Sequence, residues 1–323
     1  MGLAVLGLVV LVLAVAAVLY AVGPFIHDRD QRNLMAAERL AIAHAAAEAG
    51  GLYGPTVPTV PPTPGSPVGI LAIPAIGVQQ AVVEGAGPAQ TASGPGHVPG
   101  TAGLGQPGNA AVVGRRSAYG GPFGGLGELR RGDRVLAATT QGESVYVVDA
   151  VRTVALVTRE PAPTAGPASS GPVRTGASGP VRTGVSSGGD GKPSSRAARP
   201  AVVNLRNLFG PSTHDQLTLV TSATDAPWNG SRAVVVVARM KGQPYAPTPQ
   251  EARSLSQQGN GGDPGAATGL VLALLVLAAA LAGAVTLYRR STLATAYLLG
   301  TAPLLAGGVL AAVAASRLLP GWL

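Results

Sequence analysis

The sequence predicts a mainly β protein: a closed β-barrel held outside the membrane, accompanied by three transmembrane α-helices. Two observations predict it. Between residues 68 and 242 the chain falls into seven short β-type runs broken by Gly and Pro. Many short strands with turn signals between them argue a closed or nearly closed barrel, with a β-sandwich as the alternative from pattern alone. On either side lie three uncharged apolar stretches, Gly2–Val22, Gly269–Tyr288 and Leu293–Ser316. At about 1.5 Å rise per residue, each is long enough for a hydrocarbon core of about 30 Å.

Taken in order, residues 1–22 read as an uncleaved anchor. A basic n-region is lacking and no small-residue cleavage site stands out before Pro24. Residues 23–67 read as an extracytoplasmic helix and a Pro-rich linker. Asp28 and Asp30 favour a helix start, Leu34, Ala37, Leu40, Ile42 and Ala45 give apolar spacing, and Gly50-Gly51 ends it. Pro55–Pro67 is a stiff, extended spacer expected to hold the next domain away from the bilayer. Residues 68–242 carry the expected strands: Gly69–Ile73, Val78–Glu84, Asn109–Gly114, Asp133–Thr139, Ser144–Val154, Gln216–Thr221 and Ala233–Met240.

Residues 161–200 interrupt that pattern with a Pro/Gly/Ser/Thr/Ala-rich insertion. It holds a direct repeat, SGPVRTGA from Ser170 and SGPVRTGV from Ser178, and a net charge of +4. Such a segment has too little apolar surface to offset its ordering entropy, so it is expected to be disordered. Residues 243–268 form a polar linker back to the membrane, followed by spans at 269–288 and 293–316. Arg289 and Arg290 in the short loop between them place that loop in the cytoplasm by the positive-inside tendency, and the barrel outside.

The formal net charge is +8 with a pI near 10.4, but aromatics are only 4% and no helix carries a Lys/Arg stripe. Nucleic acid is therefore not an expected partner. A membrane or an anionic cell-wall polymer fits the charge better. The chain has no Cys, which excludes disulfides, thiolate zinc sites and thiol nucleophiles together. The four His residues are scattered without ligand spacing, so no metal and no cofactor is expected. The spans hold no Asp, Glu, Lys or Arg, which argues against an ion path.

Within 68–242 several motifs stand in a familiar order. They are Gly69-Ile70-Leu71-Ala72-Ile73-Pro74, Ser93-Gly94-Pro95-Gly96-His97, Gly105-Gln106-Pro107-Gly108-Asn109, and Val112-Val113-Gly114-Arg115-Arg116. Phe123, Leu126, Leu129 and Gly132-Asp133 follow, and then Leu217-Thr218-Leu219-Val220-Thr221-Ser222, with Arg232 ten residues on. This series resembles the sortase family, in a class E-like, actinobacterial form. The resemblance implies a sortase-like barrel tethered on the outer face of the membrane. It also implies, for an active member, a cysteine thiolate that attacks a sorting-signal peptide, a histidine that handles protons and an arginine that steadies the oxyanion.

This chain departs from that pattern where the chemistry sits. Ser222 stands at the cysteine position and Arg115 at the histidine position, while Arg232 keeps the family's spacing. A serine hydroxyl needs a neighbouring base, and arginine stays protonated. His97 in the Gly-Pro-Gly-His turn is expected to be structural, His44 lies on a helix surface, and His214 lies too far along an extended strand. Asp225 beside Arg232 would be a poor base. The expectation is a pseudoenzyme, a cell-surface binding or scaffold module whose partners are surface proteins, peptide sorting signals or anionic wall polymers. Arg115, Ser222 and Arg232 would form its ligand site. The alternative is an active transpeptidase or hydrolase using Ser222. A third reading makes the spans the working part of a membrane complex.

Overall fold

A computed structural model describes residues 2–50, 57–156, 202–224, 232–249, 262–263, 265–290, 293–318 and 321–322. Side chains are described from Gly23 onward, except at 202, 205, 206, 288 and 293–298. The repeat insertion at 161–200, Asp225 and half of the 243–268 linker lie outside the described residues.

Nine strands form one sheet: β1 (Pro67–Ile73), β2 (Val78–Glu84), β3 (Gly96–His97), β4 (Asn109–Val113), β5 (Arg134–Thr139), β6 (Gly142–Leu156), β7 (Val202–Val203), β8 (Gln216–Ser222) and β9 (Arg232–Lys241). Their order is β5-β1-β2-β3-β4-β8-β9-β6, and β5 also pairs with β6, which closes an eight-stranded barrel. The short β7 adds to the far end of β6, at Ala155 and Leu156. A bulge between Val148 and Ala150 interrupts the long β6 ladder and gives it the extra bend a closed barrel needs. All seven expected strands are present. The two missed, β3 and β7, are two-residue bridges that leave no periodic signal.

Burial explains the patterns. β5 and the first half of β6 alternate buried and partly exposed residues, as strands with one wet face do. β4 is buried throughout and β8 nearly so, because both faces of this part of the sheet are covered. Leu71, Val82, Val112, Leu217, Leu219 and Val236 belong to one apolar cluster, and Val98, Val113, Phe209, Val220 and Val235 to a second. Along β4, β8 and β9 the two sets alternate residue by residue, so they lie on opposite faces of the same strands.

Outside the barrel, α1 (Gly2–Ala49) is a single helix. It does not begin afresh at Asp28. Pro24 sits inside it and withdraws only one backbone donor, and Asp30 is not a cap, since it accepts a hydrogen bond from the Ser93 hydroxyl at 3.0 Å. The outer half of α1 lies against the barrel. Gln31 accepts from the Ala81 N–H at 2.8 Å and donates to the Ala81 and Ser93 carbonyls at 3.1 and 2.7 Å. The spacer also departs from expectation. From Val57 it runs over the barrel, and Pro58, Val60 and Pro62 line a shared cavity with Ala37 and Ala41 of α1.

Two short helices, α2 (Pro88–Ser93) and α3 (Leu205–Leu208), flank the barrel, and α4 (Ala266–Arg290) and α5 (Leu293–Ser316) pack on each other. Among the described residues, two segments are long and apolar enough to cross a membrane, Ala266–Leu287 and Leu299–Ser316. The expected first span, Gly2–Val22, has a helical backbone, but its side chains lie outside the described residues.

Candidate functional site

β4 and β8 run parallel, with Val113 opposite Val220. The residues that follow each strand therefore emerge at the same end of the barrel. Gly114 extends the pairing through its N–H to the Val220 carbonyl at 3.0 Å. A side chain at Gly114 would collide with the Phe123 ring. Glycine here lets the chain turn tightly into Arg115.

Arg115 is fully buried. Its Nη2 donates to the Pro88 carbonyl at 2.9 Å, and its guanidinium carbon lies 4.7 Å from the centre of the Tyr119 ring. Burial pulls its pKa down to about 10, opposed in part by Tyr119. It is still a cation at neutral pH and cannot act as a base. Tyr119 has a φ of 52°, a conformation a bulky residue adopts only when its surroundings hold it there. Its hydroxyl lies 2.8 Å from the Ser316 hydroxyl, at the end of α5.

Ser222 closes β8 and is likewise buried. Its hydroxyl donates to the Thr224 carbonyl at 2.7 Å and accepts from the Thr224 N–H at 3.2 Å. The group that an active alternative would use as nucleophile is thus engaged in a local turn of the kind serines form. Across the ladder Ser222 pairs with Ala233. Arg232, one step along β9, is exposed. Strand alternation sends its side chain from the face opposite Ala233 and Ser222. The structure therefore brings Arg115 and Ser222 to one end of the barrel, while the three residues do not line one open groove. Pro88 and Tyr119 draw Arg115 inward, and the pleat turns Arg232 away.

Another part of the chain fills this end. The Trp322 carbonyl accepts from the Arg116 N–H at 3.2 Å and from the Ser222 N–H at 3.4 Å. Its indole is 1% exposed and belongs to the second apolar cluster with Val98, Val113 and Val220. Gly321 passes so close to Ala86 that a Cβ there would lie 2.7 Å from the Ala86 carbonyl oxygen. The sequence reading missed this pair. Its one signal was a tryptophan, one of only two in the chain, directly after a glycine and beyond an apolar span.

The histidines stand elsewhere. His97 is buried, its ring nitrogens 2.8 Å from the Glu84 carboxylate and 2.8 Å from the Ala102 carbonyl, a structural role as expected. His27 contacts the Ala92 carbonyl and Gln80, His214 contacts Thr213, and His44 is exposed. None bonds to Ser222. A cavity of about 480 Å³, lined in part by Glu38, Glu84, His97 and Gln106, touches none of Arg115, Ser222 and Arg232. Among the described residues no group of three His, Cys, Asp or Glu could hold a metal ion.

Comparison with known proteins places these observations. A family model described as the Sortase domain matches residues 71–241. Among solved structures, the chain is similar to a sortase D5 transpeptidase from Clostridium perfringens, at 14% identity, covering 66% of this chain and 99% of that one, with a TM-score of 0.42. It is also similar to sortase E from Streptomyces avermitilis, at 28% identity, covering 56% and 93%, with a TM-score of 0.35. A search of curated proteins returned no match.

Proposed function

The chain belongs to the sortase family, and on that premise we propose that it is a non-catalytic sortase-fold module, anchored in the membrane, that binds peptide segments at the cell surface. Surface proteins with their sorting signals are its partners in this reading, in surface-protein or cell-wall assembly, with anionic wall polymers as a second ligand class. The observation that carries the reading is that all 323 residues include no cysteine, while a serine stands at the nucleophile position. The site supports it. The Ser222 hydroxyl is bound to Thr224, no histidine touches it, and Arg115 is a cation in the place of a proton acceptor. A serine without an adjacent base is a weak nucleophile. Catalytic groups that act as a unit lose most of their effect when one member goes, and here two are replaced. The barrel faces outward in this proposal, with the N-terminal segment inside and three spans in the bilayer.

The test uses the full chain in detergent micelles, incubated with sorting-signal peptides and with a serine-reactive acyl probe. The readout is intact mass, with Ser222→Ala as the control. The expected result is saturable peptide binding without a covalent adduct. A Ser222-dependent adduct would overturn the non-catalytic reading and establish a serine acyltransferase or hydrolase in its place.

A further inference from the structure

We propose that the pocket at the ends of β4 and β8 is a peptide-binding site selective for a glycine–tryptophan pair, and that Gly321–Trp322 of the same chain is its resident ligand. The proposal deepens the peptide-binding reading and rests on it for ligands supplied by other chains. Three features make the pocket a site. First, the rim presents two backbone N–H groups from two different strand ends, Arg116 and Ser222, and both point at one carbonyl, that of Trp322. Backbone donors at a barrel rim need an acceptor when covered, so they favour an incoming main chain over a side chain. Second, the outer face of β4, β8 and β9 receives a whole indole, buried to 1% exposure. Third, the approach to Ala86 and Thr91 leaves no space for a side chain at position 321. Backbone capture, an aromatic pocket and a glycine-only approach together define a sequence preference.

The occupant is exchangeable. The Trp322 indole Nε1 is buried with no hydrogen-bond partner among the described residues, a cost that a permanent core residue would be expected to avoid. The Tyr119–Ser316 contact fixes the end of α5 beside the pocket, so the pair is delivered from a few residues away. A ligand on so short a tether acts at an effective concentration on the order of millimolar. Any peptide arriving from another chain must compete with it. The Ser222 N–H is held by the Trp322 carbonyl, so departure of the pair would free that donor for an incoming main chain.

The experiment uses the full chain in detergent and a fluorescent peptide with the sequence of residues 317–323. With Trp322→Ala, the peptide is expected to bind at least ~10-fold more tightly than to the unaltered chain, because the tethered competitor is gone. Replacing the peptide's glycine with alanine should weaken that binding by about the same factor. Equal binding to both proteins, no binding to either, or indifference to the glycine overturns the proposal. A second measurement is independent of how Trp322→Ala folds. Trp228→Phe leaves Trp322 as the sole indole, and its emission should be blue-shifted and resistant to acrylamide. Solvent-like emission with free quenching overturns the resident-ligand assignment. The two proposals fail separately. A Ser222 adduct removes the non-catalytic reading while Trp322 stays protected, and an exposed Trp322 removes the resident ligand while the adduct test stands.

Discussion

At the residue scale, Arg115 and Tyr146 have opposite linkage to pH. Burial lowers the Arg115 pKa to about 10 and raises that of Tyr146 to about 12, the latter eased by a hydrogen bond its hydroxyl accepts from the Gly105 N–H at 2.7 Å. Above pH 10 an unfolded tyrosine loses its proton while the folded one keeps it. The stability Tyr146 contributes is therefore whole below pH 10 and is lost as pH rises towards 12. For the arginine the unfolded chain holds its proton longer, so stability rises through the same window. The two trends offset in the native chain. Tyr146→Phe separates them. At pH 8 it should be less stable by about 1–3 kcal/mol, since the Gly105 N–H loses its acceptor. By linkage that deficit should shrink by about 2–3 kcal/mol between pH 10 and 12. Urea titrations at pH 8 and pH 11 read it, and a deficit independent of pH would sink the argument. Arg115 yields a second outcome. Arg115→Ala should destabilise by about 2–4 kcal/mol by leaving a void beside Tyr119. Arg115→Met should recover most of that loss, because it fills the space and removes the buried charge. The same residue shows the limit of sequence reading. Its position opposite Ser222 was legible from motif order. Its inward turn was not, because that depends on the Pro88 carbonyl, far along the chain, and on the Tyr119 ring, which belongs to none of the motifs.

At the element scale, the seven longer strands were legible because alternation and Gly/Pro punctuation report them locally. The helix that crosses them was legible in part: its apolar spacing and its end before Gly50 were read, its start was not. Asp28 and Asp30 read as a start signal, yet α1 continues through them, and its docking rests on polar contacts from His27, Asp30 and Gln31 that no periodicity encodes. Glu38, on the same helix, gives this docking a pH signature. It is 4% exposed, and burial raises its pKa. A carboxyl with a raised folded pKa holds its proton longer in the native state, so stability falls as pH rises past the unfolded value near 4.5. The cost is present at pH 7 and absent in acid. Glu38→Gln should therefore raise Tm by about 2–4 °C at pH 7 and leave it unchanged at pH 4. A rise of equal size at both values would mean that Glu38 is not buried as its ionised form. Gln31→Ala should speed amide exchange at Ala81 and along the outer half of α1, while β8 and β9 stay protected.

At the scale of the whole molecule, the barrel and the helices share one geometry. Gly23 of α1 lies against Tyr119, and Ser316 at the end of α5 bonds to the same side chain. Asp263, just before α4, donates its N–H to the Arg317 carbonyl at 2.8 Å. The helices α1, α4 and α5 thus converge on one side of the barrel, and the barrel rests against them. Arg289 and Arg290 close α4 at its other end. A 25-residue helix puts them about 37 Å away at 1.5 Å per residue, the thickness of a hydrocarbon core and part of its interface. In the proposed orientation the pair lies on the opposite side of the bilayer from the barrel, where positive charge favours the cytoplasm. A chain without cysteine is suited to testing this, since each introduced thiol is the only one. In intact cells, Thr63→Cys on the barrel side should react with a membrane-impermeant maleimide, while Ser291→Cys beside the arginine pair should react only after lysis. Cys introduced at Ala4 should behave like Ser291→Cys if the first segment also crosses. Labelling of Ser291→Cys in intact cells would reverse the orientation. Labelling of Ala4→Cys there would leave α4 and α5 as the only crossings and place the whole of α1 on the outer side.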